Sequence, residues 1–148
     1  VPRKEDAMDD PHALQRFVEA QQGVYAQALS ELRAGAKASH WMWFVFPQLR
    51  GLGHSAMAQH YGLAGLAEAQ AYWRHPLLGP RLAECTAAML AVPGRSARQI
   101  LGTPDDLKFR SCMTLFMQAV PGEAMFRQSI ERWFDGTPDP LTLARLAG

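Results

Sequence analysis

The sequence predicts an all-α fold, a compact single-domain bundle of six to eight helices around a central apolar helix at about 103–120. Three observations carry this. Apolar residues recur at three- and four-residue steps over most of the chain, residues 111–120 hold no charge on any helical face, and no pair of segments reads as paired strands.

The elements follow in order. Asp10-Pro11 offers a cap and a proline start, after which Leu14, Val18, Gln21, Tyr25, Ala28 and Leu32 keep helical spacing up to Gly35. Gly23 inside that helix costs about 1 kcal/mol relative to alanine, which predicts close packing or a bend. Residues 39–48 are uncharged, hold four aromatic rings and are too short for periodicity to separate helix from strand; burial is expected either way. Residues 49–53 read as a loop, and Ser55 caps a short turn that Gly62 ends.

Residues 66–75 and 77–92 both have helical composition, with Pro76 breaking the chain at His75. Ser96 caps a turn ending at Gly102. Thr103-Pro104-Asp105-Asp106 then opens the central helix with a capping hydroxyl, a proline and two carboxylates that suit the positive helix end. A further amphipathic helix spans 123–134, and Asp139-Pro140 starts a short terminal one.

Composition narrows the function classes. Hydrophobic residues at 48% and charged residues at 20% are those of a folding globular domain, expected over 10–148, with 1–9 a tag or disordered tail. Fifteen basic against fourteen acidic residues, without a run of either, argues against nucleic acid as a partner unless Arg50, Arg74, Arg81, Arg95 and Arg98 share a face. No segment reaches the roughly 18 apolar residues of a membrane span. Cys85 and Cys112, each among small or apolar residues, read as buried unbridged thiols, so a cytoplasmic location is expected. The spacing of histidines and cysteines suits no metal site, no phosphate loop or nucleophile elbow is present, and no cofactor is expected.

The remaining chemistry is a constellation. His40, Trp41, Trp43 and Gln48 put an imidazole, two aromatic faces and an amide within nine positions, enough to wall a pocket for a planar ligand; the same residues also read as core. Asp106, Lys108 and Arg110 stand in the first turns of the central helix, where a phosphate or carboxylate can dock, or where Asp106 simply pairs with Arg110. Ser111 can touch a ligand or bond its own helix, and Glu84 can act as acid or base if it lies near His40. The candidate catalytic residues are therefore His40, Asp106 and Glu84, and the candidate ligand contacts Trp41, Trp43, Gln48, Lys108, Arg110 and Ser111. They suggest an enzyme or binding protein for a nucleotide-like or anionic aromatic small molecule. The alternative is a non-catalytic interaction module, self-association included. The two expected site segments, 40–48 and 106–110, should then face one pocket.

The string Ser-His-Trp-Met-Trp-Phe-Val-Phe-Pro-Gln-Leu-Arg-Gly-Leu-Gly at 39–53, the His75-Pro76-Leu77-Leu78-Gly79 segment with Arg81-Leu82 and Glu84-Cys85, and Asp105-Asp106-Leu107-Lys108 with Arg110-Ser111 and Met113-Thr114-Leu115-Phe116 carry a resemblance. From Asp10 to the C-terminus the chain resembles an uncharacterised bacterial family of small proteins, domain of unknown function 1810, often labelled calpastatin. The resemblance implies an all-helical fold and no established activity. A calpastatin-type inhibitor would be disordered and highly charged, which this hydrophobic content contradicts.

Overall fold

A computed structural model describes residues 10–148, and the expectation for 1–9 lies outside them. The segment expected to be one helix from Asp10 to Gly35 is two, α1 (Gln15–Gln21) and α2 (Tyr25–Ala34). Gly23 makes the break: its φ is +80°, and a Cβ there would meet nothing within 4 Å, so the glycine serves a bend and not close packing. Asp10 caps α1 across a turn, Oδ1 accepting from the Leu14 N–H at 2.7 Å and Oδ2 from that of Gln15 at 3.0 Å. Pro11 lies in that turn, ahead of the helix.

The aromatic segment forms a single turn, α3 (Met42–Val45). Next come α4 (Ala56–Tyr61), capped by Ser55, then α5 (Leu66–Arg74) and α6 (Leu78–Leu90). His75-Pro76 separates α5 from α6 and also starts the second helix, because the His75 Nδ1 accepts from the N–H groups of Leu77 and Leu78 at 3.1 and 3.2 Å. Gly79 allows α6 to fold back closely, since a Cβ there would sit 2.0 Å from the Trp73 carbonyl oxygen.

A Ser96–Gln99 capping box opens α7 (Ala97–Leu101). The central helix is α8 (Asp105–Ala119), followed by α9 (Ala124–Phe134) and α10 (Pro140–Ala147). Asp139 caps α10 as the sequence predicts, but Thr103 does not cap α8. There the Gly102 carbonyl accepts from the Asp106 N–H at 2.9 Å and Pro104 takes the capping position without a side-chain bond.

Ten helices thus stand among the described residues where six to eight are expected, because Gly23 divides the first and the aromatic segment adds one. Apart from an isolated Leu49–Leu63 bridge, no β-structure occurs among them. α8 packs on α5, α7, α9 and α10, and α6 packs on α2, α5 and α9. Phe109, Cys112, Met113, Leu115 and Phe116 are buried in one continuous core, while Met117 is only half-buried at its edge. The charge-free stretch of α8 follows from this position: a helix surrounded by others has no face for a solvated ion.

Two buried polar groups tie the layers. The Gln21 amide donates to the Phe44 carbonyl at 2.7 Å and the Tyr72 hydroxyl at 3.1 Å, and accepts from Arg81 at 3.2 Å. Arg16 meets the buried Glu68 carboxylate at 3.0 Å and also donates to the carbonyls of His60 and Gly62.

Candidate functional site

Two tryptophans one residue apart have different roles. Trp41 is fully buried and its Nε1 donates to Glu31 Oε1 at 2.9 Å. Glu31 also accepts from the N–H groups of Ala38 (2.8 Å) and Ser39 (3.0 Å), the Ser39 hydroxyl (2.7 Å) and the Gln27 amide (3.0 Å). Burial alone would raise its pKa, but the bonds from Ala38, Ser39, Trp41 and Gln27 outweigh it and pull the carboxyl down to about 2. Trp41 is therefore part of the frame, not a stacking face.

Lys37 extends that frame to the central helix. Its nearly buried ammonium lies 2.9 Å from the Asp105 carboxylate, donates to the Ser39 carbonyl at 2.6 Å and stands 5.1 Å over the Trp41 ring. Asp105 in turn lies 3.6 Å from Lys108, whose ammonium is 5.1 Å above the half-buried Trp43 ring. Loop 37–41 and the first turn of α8 are thus linked through one shared carboxylate.

Lys108 and Gln48 border two adjoining spaces. One is a slot of about 10 Å³ against Trp43, Phe46 and Tyr61, no larger than one water needs. The other is a groove of about 380 Å³ between α8, α10 and the loop after Gln48, with Leu52, Pro104, Leu107 and Leu141 in its walls. Arg110 and Ser111 also line it. Trp43, Gln48 and Lys108 therefore meet at one place, and Gln48, Lys108, Arg110 and Ser111 at the next.

The other candidates lie apart. His40 is exposed and lines neither space. Glu84 is exposed on α6, where it accepts from the Tyr25 hydroxyl and stands 3.8 Å from Arg33. Burial, and after it this bond to Glu84, raises the Tyr25 pKa. Asp106 does not pair with Arg110; its buried Oδ1 has no hydrogen-bond partner among the described residues. Arg110 instead donates to the carbonyls of Thr137 at 2.9 Å and Pro138 at 3.1 Å. Ser111 donates to the Leu107 carbonyl (3.1 Å) and is within 2.8 Å of the Asp139 carboxylate. Both residues hold the segment that leads into α10, which shapes the groove wall.

Sequence reasoning missed Glu31, Lys37, Leu107 and Leu141. Lys37 had a signal, as the last charge before an uncharged stretch; Leu107 and Leu141 had one in falling off the buried stripe of their helices. A larger open crevice of about 740 Å³ lies beside Arg50 and Arg145, but Arg145 Nε donates to the Arg50 carbonyl and Arg50 to that of Gly62. Those cations are engaged in holding backbone. No cluster of three or more metal-ligating side chains occurs among the described residues, and no helix there is long and apolar enough to cross a membrane.

Fold and site together define a compact all-α protein with an amphipathic groove beside its central helix. The chain belongs to the family described as "Protein of unknown function (DUF1810)", which matches residues 11–146. It is similar to the conserved hypothetical protein Rv1873 from Mycobacterium tuberculosis, solved by crystallography at 1.38 Å, with 53% identity and a TM-score of 0.93 over 94% of this chain and 99% of that one. No curated protein matches.

Proposed function

We propose that this chain binds a small organic anion in the groove between α8 and α10, with Lys108 as the anion contact and the Gln48 amide beside it. The observation that carries the reading is the setting of Lys108. Its ammonium is half-buried, loosely placed 3.6 Å from Asp105 and supported by the Trp43 ring, at the border of a groove of about 380 Å³. That volume falls within the usual range for ligand sites. A carboxylate or phosphate arriving there gains a charge-assisted hydrogen bond in a partly desolvated place.

Trp43 supports this reading through Lys108, since the cation occupies its face and the slot beside it has no room for a ring. The first turn of α8 is a poor anion site, because Asp105 and Asp106 already place two carboxylates there. The separation of His40 and Glu84 from the groove favours binding over acid–base chemistry. A second reading, docking of a partner protein or a second copy, is favoured by the exposure of Leu107 and Leu141 on the same groove.

The test is calorimetric titration with adenosine monophosphate, benzoate and hexanoate, repeated on Lys108→Ala. Loss of a charged hydrogen bond, about 1.5–3 kcal/mol, should weaken binding by roughly 10- to 150-fold with thermal stability unchanged. Equal binding by the variant sinks the reading.

A further inference from the structure

We infer that the ligand of this groove is an aliphatic carboxylate, its head on Lys108 and Gln48 and its tail between Leu107 and Leu141. The inference rests on the anion-binding reading above and names its substrate class. Of the large hydrophobic side chains exposed on the described residues, Leu141 at 67% and Leu107 at 53% are the two most exposed, and both belong to this groove. Leu52, Pro104 and Pro140 complete the apolar wall, and no aromatic side chain lines it. A nucleobase would need a ring to stack on and finds none. A saturated chain needs only apolar area.

The charges select the sign. Lys108, only loosely paired, stands on the groove, and the one acidic side chain there, Asp139, is already occupied: its carboxylate accepts from the Thr142 N–H and hydroxyl and from the Leu141 N–H. It has little capacity left to recruit a cationic ligand. Size selects a small occupant. A groove of about 380 Å³ has the volume of a small-molecule site.

The experiment is titration calorimetry with butanoate, hexanoate and octanoate, with adenosine monophosphate alongside, on the wild-type chain and on Leu107→Ser, Leu141→Ser and Lys108→Ala. Each added methylene should tighten wild-type binding about fourfold, the equivalent of 0.8 kcal/mol, until the groove is filled. Either leucine variant should flatten this series to below twofold per methylene, and both should fold normally because the residues are exposed. Lys108→Ala should weaken all three acids by a similar factor of ten or more and keep the slope. Affinity that does not change with chain length, a slope that survives in both leucine variants, or tighter binding of the nucleotide than of octanoate overturns the aliphatic assignment while leaving the anion site standing. Binding of none of the probes overturns both. A dimer by gel filtration that Leu141→Ser dissolves assigns the leucines to self-association and overturns the inference.

Discussion

Replacing Glu31 by Gln tests whether the frame behind Lys108 is held by one ionised carboxylate. The glutamine keeps the shape but turns one oxygen into an NH₂ group, which faces donors instead of accepting from them. Five donors converge on this side chain, from Gln27, Ala38, Ser39 (twice) and Trp41. A carboxyl moved from 4.5 to about 2 carries on the order of 3 kcal/mol of stability at neutral pH. The sign follows from the lowered folded value. The contribution is complete above the unfolded pKa near 4.5 and disappears as pH falls through about 2, with about 2 kcal/mol of it gone by pH 3. Urea unfolding followed by tryptophan emission should therefore place Glu31→Gln about 3 kcal/mol below wild type at pH 7, and only about 1 kcal/mol below it at pH 3. A variant within 0.5 kcal/mol of wild type at pH 7, or a gap that does not narrow in acid, would refute the argument.

Phe116→Ala should cost about 3–5 kcal/mol, because the ring is fully buried between Tyr72 and Phe126 at centroid distances of 5.7 and 5.5 Å; a loss below 1 kcal/mol in the same unfolding assay would make α8 peripheral. Both cysteines are free and buried, and burial pushes Cys85 up to about 12 and Cys112 well above its ordinary value. Ellman's reagent should thus react slowly with the folded chain and count two thiols once it is unfolded without reductant, whereas rapid reaction in the folded state would contradict the packing. Arg16→Met should destabilise by about 3–5 kcal/mol, since it strands the buried Glu68 carboxylate 3.0 Å from the lost cation; recovery in Arg16→Met/Glu68→Leu would support that cause, and no recovery would assign the loss to the carbonyl bonds of Arg16.

The fold was legible wherever a local signal decides the outcome. Ser55, Ser96 and Asp139 are caps in both sequence and structure, because a cap acts on the next three residues only. The chargeless run of α8 announced its burial. Errors arose where another group takes the bond that the nearest side chain could make. Thr103 has the right hydroxyl, but the Asp106 N–H bonds to the Gly102 carbonyl; Arg110 has an acid four residues back, yet two carbonyls of the 137–138 segment take it. The candidate site was half legible for the same reason. Trp43, Gln48 and Lys108 were named from their chemistry, but only the path of the chain decides that Trp41 faces inward to Glu31 and His40 outward to solvent.

The position of the groove follows from how α8 is used. From Ser111 to Phe116 every side chain is buried, and the hydroxyls of Ser111 and Thr114 are spent on the helix's own carbonyls and on Asp139, so this stretch has nothing left to offer a ligand. The charged side chains of α8 all sit where the helix leaves the core, at Asp105–Arg110. There, two constraints of different origin meet. From below, Phe109 is locked against Phe46 and Phe134, which fixes the rotation of the first two turns. From the side, the loop pinned by Glu31 presents Lys37 to Asp105 and so sets how much of that carboxylate remains for Lys108. A lysine paired to a single free carboxylate would be neutralised; one that shares a carboxylate with a second lysine keeps part of its charge available. In the anion site proposed here, Lys37, whose nearly buried ammonium takes the closer share of Asp105 and which does not line the groove, is thus the residue that would leave part of the Lys108 charge for a ligand.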